Sequence, residues 1–138
     1  MNKHALENTQ KNTSNKVSVF AVINTKDGIL VTTRPEDKNV PFGLPGGKVD
    51  TGEDLKEALI RECFEEGVDI KHISDLLFIK IREEYLDNGI VHWFHILGTP
   101  TILEDYKEKY RGIEVTHKTI EEVAVSGYGN SFLLEYFK

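Results

Sequence analysis

The sequence predicts a mixed α/β layered domain, and three observations carry that prediction. β-branched apolar runs with turn signals open the chain, one amphipathic helical stretch lies between two such strand pairs, and helix starts gather late. With 138 residues, the chain fits one domain with a hydrophobic core of its own. Its hydrophobic fraction of 39% and charged fraction of 29% are those of an ordinary soluble protein.

Residues 1–15 are rich in Asn, Lys, Thr and Gln and lack the apolar stretch of a signal peptide, so they read as a flexible arm ahead of a single domain over 16–138. Val17–Ile23 and Ile29–Thr33 are β-branched and apolar, and Asp27-Gly28 between them signals a hairpin turn. The near-continuous apolar character of the first run predicts a strand buried on both faces. A long irregular segment follows over 34–52, punctuated by Pro35, Pro41, Pro45 and four glycines, and such a loop inside a small domain points to function.

Glu53–Glu66 reads as a helix, with Thr51 as N-cap, Asp54 three residues on, and Gly67 just past the end. Leu76–Leu86 and Ile90–Gly98 form a second strand pair, joined by Asp87-Asn88-Gly89. Thr101-Ile-Leu-Glu104 has capping-box spacing and predicts a short helix to Tyr110, ended by Gly112. Val115–Thr119 is a candidate short strand, and Thr119-Ile-Glu-Glu122 is a second capping box. Asn130 or Ser131 opens a terminal helix with Phe132, Leu133, Tyr136 and Phe137 as its buried stripe.

Several function classes are disfavoured at this stage. Cys63 is the sole cysteine, which rules out an intrachain disulfide and a cysteine-built zinc site and suits a reducing cytoplasm. The net charge of −6 argues against general nucleic-acid binding, and no DNA-binding surface is evident. No apolar run approaches the roughly 18–20 residues needed to span a bilayer.

On a helical wheel, Leu55, Ala58 and Leu59 form an apolar face, and the same face continues as Glu62 and Glu66 with Glu65 alongside. Ile60 and Phe64 lie on another side, which predicts cover on two flanks. Carboxylates spaced i, i+3, i+4 converge and repel one another, and a hard divalent cation with oxygen ligands would compensate. A solvated acidic face is the other reading, and Arg61 suits either, since Glu57 and Glu65 lie four residues to each side. Pro45-Gly46-Gly47 lets backbone approach a ligand closely, and Glu53 adds a further carboxylate.

Gly47-x5-Glu53-x7-Arg61-Glu62-Cys63-x-Glu65-Glu66 resembles the Nudix box, G-x5-E-x7-R-E-U-x-E-E-x-G-U with U apolar. Chance agreement at these positions is on the order of one in 10⁵ or less. The chain departs from the pattern after Glu66: Gly67 comes one residue early, and Asp69 stands where an apolar residue is expected. Cys63 occupies a position more often filled by Leu, Val or Ala, where a small apolar residue packs adequately.

The resemblance implies an α/β/α sandwich with a mixed sheet between helices. It also implies metal-dependent hydrolysis of a pyrophosphate bond in a nucleoside diphosphate-linked small molecule, with nucleoside or deoxynucleoside triphosphates favoured. Sugar nucleotides, dinucleoside polyphosphates, capped RNA ends and a non-catalytic nucleotide sensor are the alternatives. By similarity, Glu62, Glu65 and Glu66 hold Mg²⁺ (or Mn²⁺) with the Gly46 carbonyl and, from a later segment, Glu114. Glu62 is the candidate base, Glu53 assists metal or water binding, and Arg61 orients glutamates. Arg34 and Lys48 are candidate phosphate contacts. Asn130 is either a base-reading residue or an N-cap, and Tyr85 is a candidate from dinucleoside polyphosphate hydrolases. Trp93 or Phe94, on opposite strand faces, is available to stack on a base, and His92 and His95 do not share a face. The oligomeric state, monomer or homodimer, is open.

Overall fold

Strand β1 (Lys16–Thr25) is the axis on which the sheet is organised. The structure is a computed structural model and describes residues 16–33, 42–126 and 130–136. One edge of β1 is covered along most of its length by a parallel partner, β5 (Val91–Ile102), with Val19 opposite His95. The other edge is shared. β2 (Gly28–Thr32) pairs with it only at Asn24 and Thr25, and β3 (Gly46–Lys48) takes Ser18, Val19 and Phe20, both antiparallel. β4 (Leu77–Tyr85) lies outside β5, and β7 (Ile113–Lys118) beside β2 carries β6 (Lys109–Tyr110) at its far side. The resulting path is β4-β5-β1-β2-β7-β6 with β3 branching from β1, a mixed sheet as expected.

Strand alternation divides the core into two layers. Val19, Ala21, Ile23, Leu30 and Leu97 face helix α1 (Leu55–Glu65) and pack with its Ala58, Leu59 and Cys63. On the opposite face Val22, Ile29, Val31 and Ile96 meet Val123 and Ala124 of α2 (Ile120–Ala124) and Leu133 of α3 (Leu133–Tyr136). Leu59 and Leu133 are fully buried, and each such side chain contributes about 1.5–3 kcal/mol relative to exposure. This is the expected helix–sheet–helix sandwich. Phe132 is partly buried against the second layer, while the Phe137 and Tyr136 side chains lie outside the described residues, as does the whole of residues 1–15.

Four expectations are corrected. The N-cap of α1 is Asp54, whose carboxylate accepts the Glu57 N–H at 2.8 Å, and not Thr51. The Glu53 N–H instead closes a turn onto the Asp50 carbonyl at 3.0 Å, so Glu53 stands before the helix. Phe64, expected under cover, is 56% exposed, although Ile60 does pack on the core. The helix predicted over 101–110 does not form. Thr101 and Ile102 extend β5, where Ile102 pairs with Asn24, and the Thr101 hydroxyl that would cap a helix donates to Asp75 at 2.9 and 3.1 Å. Leu103 and Tyr106 then cross the α1 face of the sheet as a strap packed on the first core layer. At residue 119, by contrast, the capping box forms as read, with Thr119 and Glu122 each satisfying the other's backbone N–H.

The early glycine gives α1 a complete C-terminal closure. Gly67 is left-handed at φ 89°, its N–H donates to the Phe64 carbonyl at 3.0 Å, and the Val68 N–H donates to the Cys63 carbonyl at 2.8 Å. That pair of bonds is a Schellman motif, and its apolar contact is supplied by Val68 and Cys63, both buried in one cluster. Asp69 at the apolar position of the box is exposed, and Ile70 enters the core one residue later.

The N-cap assignment predicts that Asp54→Ala lowers stability by about 1 kcal/mol in denaturant unfolding, whereas Thr51→Ala leaves it within about 0.5 kcal/mol. The reverse ranking would restore the helix start read from the sequence.

Candidate functional site

β3 pairs along the edge of β1 beside the C-terminal end of α1, and its glycines make that close fit possible. A Cβ on Gly46 would fall inside contact distance of the Val19 carbonyl, and one on Gly47 would strike the Glu62 carboxylate. With no side chains there, the Gly46 N–H reaches Glu66 Oε1 at 2.8 Å. Thr32, at the end of β2, donates its hydroxyl to Glu66 Oε2 at 3.3 Å. Glu66 is therefore a buried carboxylate seated at the fork where β2 and β3 share the edge of β1.

One turn back, Arg61 gathers the other acids. Its Nε and one terminal nitrogen donate to Glu53 at 2.8 and 2.9 Å in a bidentate pair. The remaining nitrogen donates to Glu62 at 2.9 Å and to Glu65 at 3.3 Å. The Lys48 carbonyl accepts at 2.9 Å, and Asp50 stands at 3.4 Å. The Arg61 hydrogen bond holds the Glu53 carboxyl below its ordinary range. Burial pushes the Glu62 carboxyl up, outweighing the Arg61 hydrogen bond, and the adjacent Glu65 charge adds to the rise.

Among the described residues no three His, Cys, Asp or Glu side chains converge tightly enough to hold an ion as they stand. The reason is visible in the geometry: Glu53, Glu62 and Glu65 turn toward Arg61, while Glu66 turns toward Gly46 and Thr32. The donor set nevertheless fits a hard divalent cation, being all oxygen, with one desolvated carboxylate whose charge lacks full compensation. Rotating Glu62 and Glu65 off a shared guanidinium nitrogen is a side-chain motion, not a change of fold.

The structure thus brings Glu53, Arg61, Glu62, Glu65, Glu66 and Gly46 together. Lys48 joins through its carbonyl, while its side chain, paired in register with Ser18, belongs to the opposite face of the sheet. Glu114 is exposed on β7, one residue before Val115, which faces α1, so alternation turns it to the other face. Tyr85 is 73% exposed near the end of outer strand β4 and donates to Glu83 at 2.5 Å. Asn130 is buried beside the second core layer, where its side-chain amide donates to Ser126 at 3.0 Å. Arg34 lies outside the described residues. His92 donates to or accepts from Ser18 at 2.9 Å, and burial pushes the His95 imidazole down to about 4, which leaves it neutral at pH 7.

Sequence reading missed Thr32 and Asp50. Thr32 had a signal, since it falls on the same strand face as Leu30, and a polar residue on a core-facing position needs a buried partner. Asp50 had none beyond its place before a helix.

The Glu62 shift predicts a pH-dependent effect on stability. Its folded-state value lies above the ordinary 4.5, so ionising it destabilises the fold, fully so above the folded value and not at all below the unfolded one. In the presence of chelator, Glu62→Gln should raise the Tm at pH 7, and the gain should vanish as the pH falls below 4.5. A Tm at pH 7 lower than that of the parent protein would contradict the assignment.

Comparison with known proteins supplies the family. Residues 13–114 match the family described as NUDIX domain, well over half of the chain. The 8-oxo-dGTP diphosphatase of Escherichia coli (strain K12) is 34% identical over 85 residues, covering 59% of this chain and 64% of that protein, slightly under two thirds of its length. Among solved structures, the E. coli ORF135 protein matches with a TM-score of 0.66 at 21% identity, over 88% of this chain and 87% of that one. A MutT protein from Methanosarcina mazei Go1 matches with a TM-score of 0.62 at 24% identity, over 89% and 93% of the two chains. The structural matches bear out the mixed-sheet sandwich, the sequence match covers the acidic helix and the glycines ahead of it, and the chain belongs to the NUDIX domain family.

Proposed function

We propose that this chain is a Nudix pyrophosphohydrolase that cleaves a pyrophosphate bond in a nucleoside diphosphate-linked small molecule, with nucleoside or deoxynucleoside triphosphates as its first substrates. The observation that carries the reading is the placement of Glu62, Glu65 and Glu66 on one helix end, against a glycine backbone that admits no side chain. The relative named an 8-oxo-dGTP diphosphatase supports a nucleoside triphosphate substrate. No described helix is long and apolar enough to cross a membrane, and the only cysteine, Cys63, is buried, which agrees with a cytoplasmic setting.

In this reading Glu62, Glu65 and Glu66 hold Mg²⁺ or Mn²⁺, with the Gly46 carbonyl beside them. The cation would supply charge neutralisation for adjacent phosphates and an acidified water. The chain's own residues do the rest. The N–H of Gly46 and the hydroxyl of Thr32 fix Glu66, so its carboxylate is oriented before substrate arrives. The raised Glu62 carboxyl suits it to accept a proton from water. Arg61 is committed to protein carboxylates and orients them, and Glu53, locked to it bidentately, sets the guanidinium. Glu114 stays outside the group, since its side chain emerges on the other face of the sheet. In this reading Asn130, buried with its side-chain amide on Ser126, would be the residue that selects among bases.

A nucleotide panel with product identification tests this directly. Hydrolysis should require Mg²⁺ or Mn²⁺, stop with chelator, and return on adding the metal. Glu66→Gln keeps the acceptor for Gly46 N–H and should lower kcat about 10²–10³-fold with an unchanged Tm, the scale of losing one preorganised electrostatic group. Asn130→Ala should change the ranking of nucleotides more than the rate on the best one. Tight nucleotide binding without turnover would mark a sensor domain, and chelator-resistant turnover would exclude the metal reading.

A further inference from the structure

The carboxylate-bearing end of α1 is held from a second side by a residue that no part of the Nudix box specifies. Gly67, the glycine that departs from the family spacing, is left-handed at φ 89° and ends the helix directly after Glu66. A Cβ built on Gly67 would lie 2.7 Å from Tyr110 Cβ and 3.1 Å from its Cγ, so Tyr110 occupies the space that any side chain at 67 would need. Tyr110 is half-buried there, and cations stand over its ring: Lys107 Nζ at 5.0 Å from the centroid and the Arg111 guanidinium at 5.1 Å.

The backbone that presents Tyr110 is itself specialised. Tyr110 pairs with Ile113 across a two-residue turn in which Arg111 and Gly112 are both left-handed, at φ 51° and 83°. Two positive φ values in a two-residue hairpin turn favour Asn-Gly, and an arginine adopts the first of them only against its own sterics. The strand that follows, β7, pairs with β2, and β2 ends at Thr32, the hydroxyl partner of Glu66. Adjoining strands therefore reach the helix exit twice, β2 through Thr32 to the Glu66 carboxylate and β6 through Tyr110 to Gly67.

We propose that Tyr110 is a positioning residue for the acidic helix end, its Cβ and the near edge of its ring set against Gly67 so as to fix the turn from which Glu65 and Glu66 project. Arg111 and Lys107 hold the ring in place by lying across it. The displaced Gly67 is then the feature that admits this brace, not a defect in the box. The proposal rests on reading Glu62, Glu65 and Glu66 as the hydrolytic site.

The test compares Tyr110→Ala with Tyr110→Phe in the full chain. It measures kcat and KM on the best nucleotide, hydrogen exchange at the Gly67 and Val68 amides, and affinity for Mn²⁺. Tyr110→Ala should speed exchange at both amides, weaken Mn²⁺ binding, and lower kcat about ten- to a hundredfold with KM within about twofold. Tyr110→Phe, which keeps the ring, should match the parent on every measure. Faster exchange with unchanged kcat and Mn²⁺ affinity would overturn the proposal, as would unchanged exchange, or a Tyr110→Phe variant as impaired as Tyr110→Ala. If Tyr110→Ala does not fold, Tyr110→Leu, apolar but without the flat ring, carries the same comparison. A parent protein that hydrolyses no nucleotide defeats the functional reading itself. Exchange and Mn²⁺ affinity then still decide the brace, and an unchanged Mn²⁺ affinity in Tyr110→Ala overturns it.

Discussion

Where β3 lies between the edge of β1 and the Glu62 carboxylate of α1 there is room for a backbone and none for a side chain, and Gly46 and Gly47 are the residues that pass through it. Because β3 lies that close, its amide can reach into the helix layer and take the buried Glu66 carboxylate. Because Gly47 lacks a Cβ, the Glu62 carboxylate can lie flush against the strand, where loss of water raises its proton affinity. Even a methyl group would displace the β1–β3 pairing at Gly46 or the Glu62 carboxylate at Gly47.

The second constraint is electrostatic. Five acidic side chains, those of Asp50, Glu53, Glu62, Glu65 and Glu66, crowd the ends of one helix, and among the described residues Arg61 is the cation that engages four of them. Hydrogen bonds to charged groups contribute about 1.5–3 kcal/mol each when well formed, less where Glu65 and Asp50 meet solvent. One guanidinium does not neutralise this set, and the Glu62 carboxyl, raised chiefly by burial, is raised further by the Glu65 charge beside it. The net charge of −6 is no obstacle to an anionic ligand that brings cations with it.

How much of this the sequence disclosed depended on whether the signal was local. The acidic helix and the Asn88-Gly89 hairpin follow from periodicity and turn chemistry within short windows, and they stand in the structure, while the helix's glutamates divide between Arg61 and the Gly46 amide. Two identical-looking capping boxes had opposite fates for a reason outside either window. The Thr119 hydroxyl is available to its helix, but Thr101 is claimed by Asp75, a partner 26 residues away, and by β-pairing to β1. Thr32 and Tyr110 likewise act through contacts with residues distant in sequence. The candidate specificity residues were the least legible. Lys48 lies on β3, Tyr85 ends β4 and Asn130 stands just before α3, and nothing in their local spacing relates one of them to another. Gly67, which looked like erosion of a pattern, supplies a complete helix closure instead.

The claim on which the account stands is that the end of α1 is a cation site. A crystal structure grown with Mn²⁺ and nucleotide, with anomalous diffraction to locate the metal, tests it most directly. The expected result is an anomalous peak bound by Glu62, Glu65 and Glu66, with Glu62 and Glu65 rotated off Arg61. A peak elsewhere, or none at saturating Mn²⁺, would contradict it.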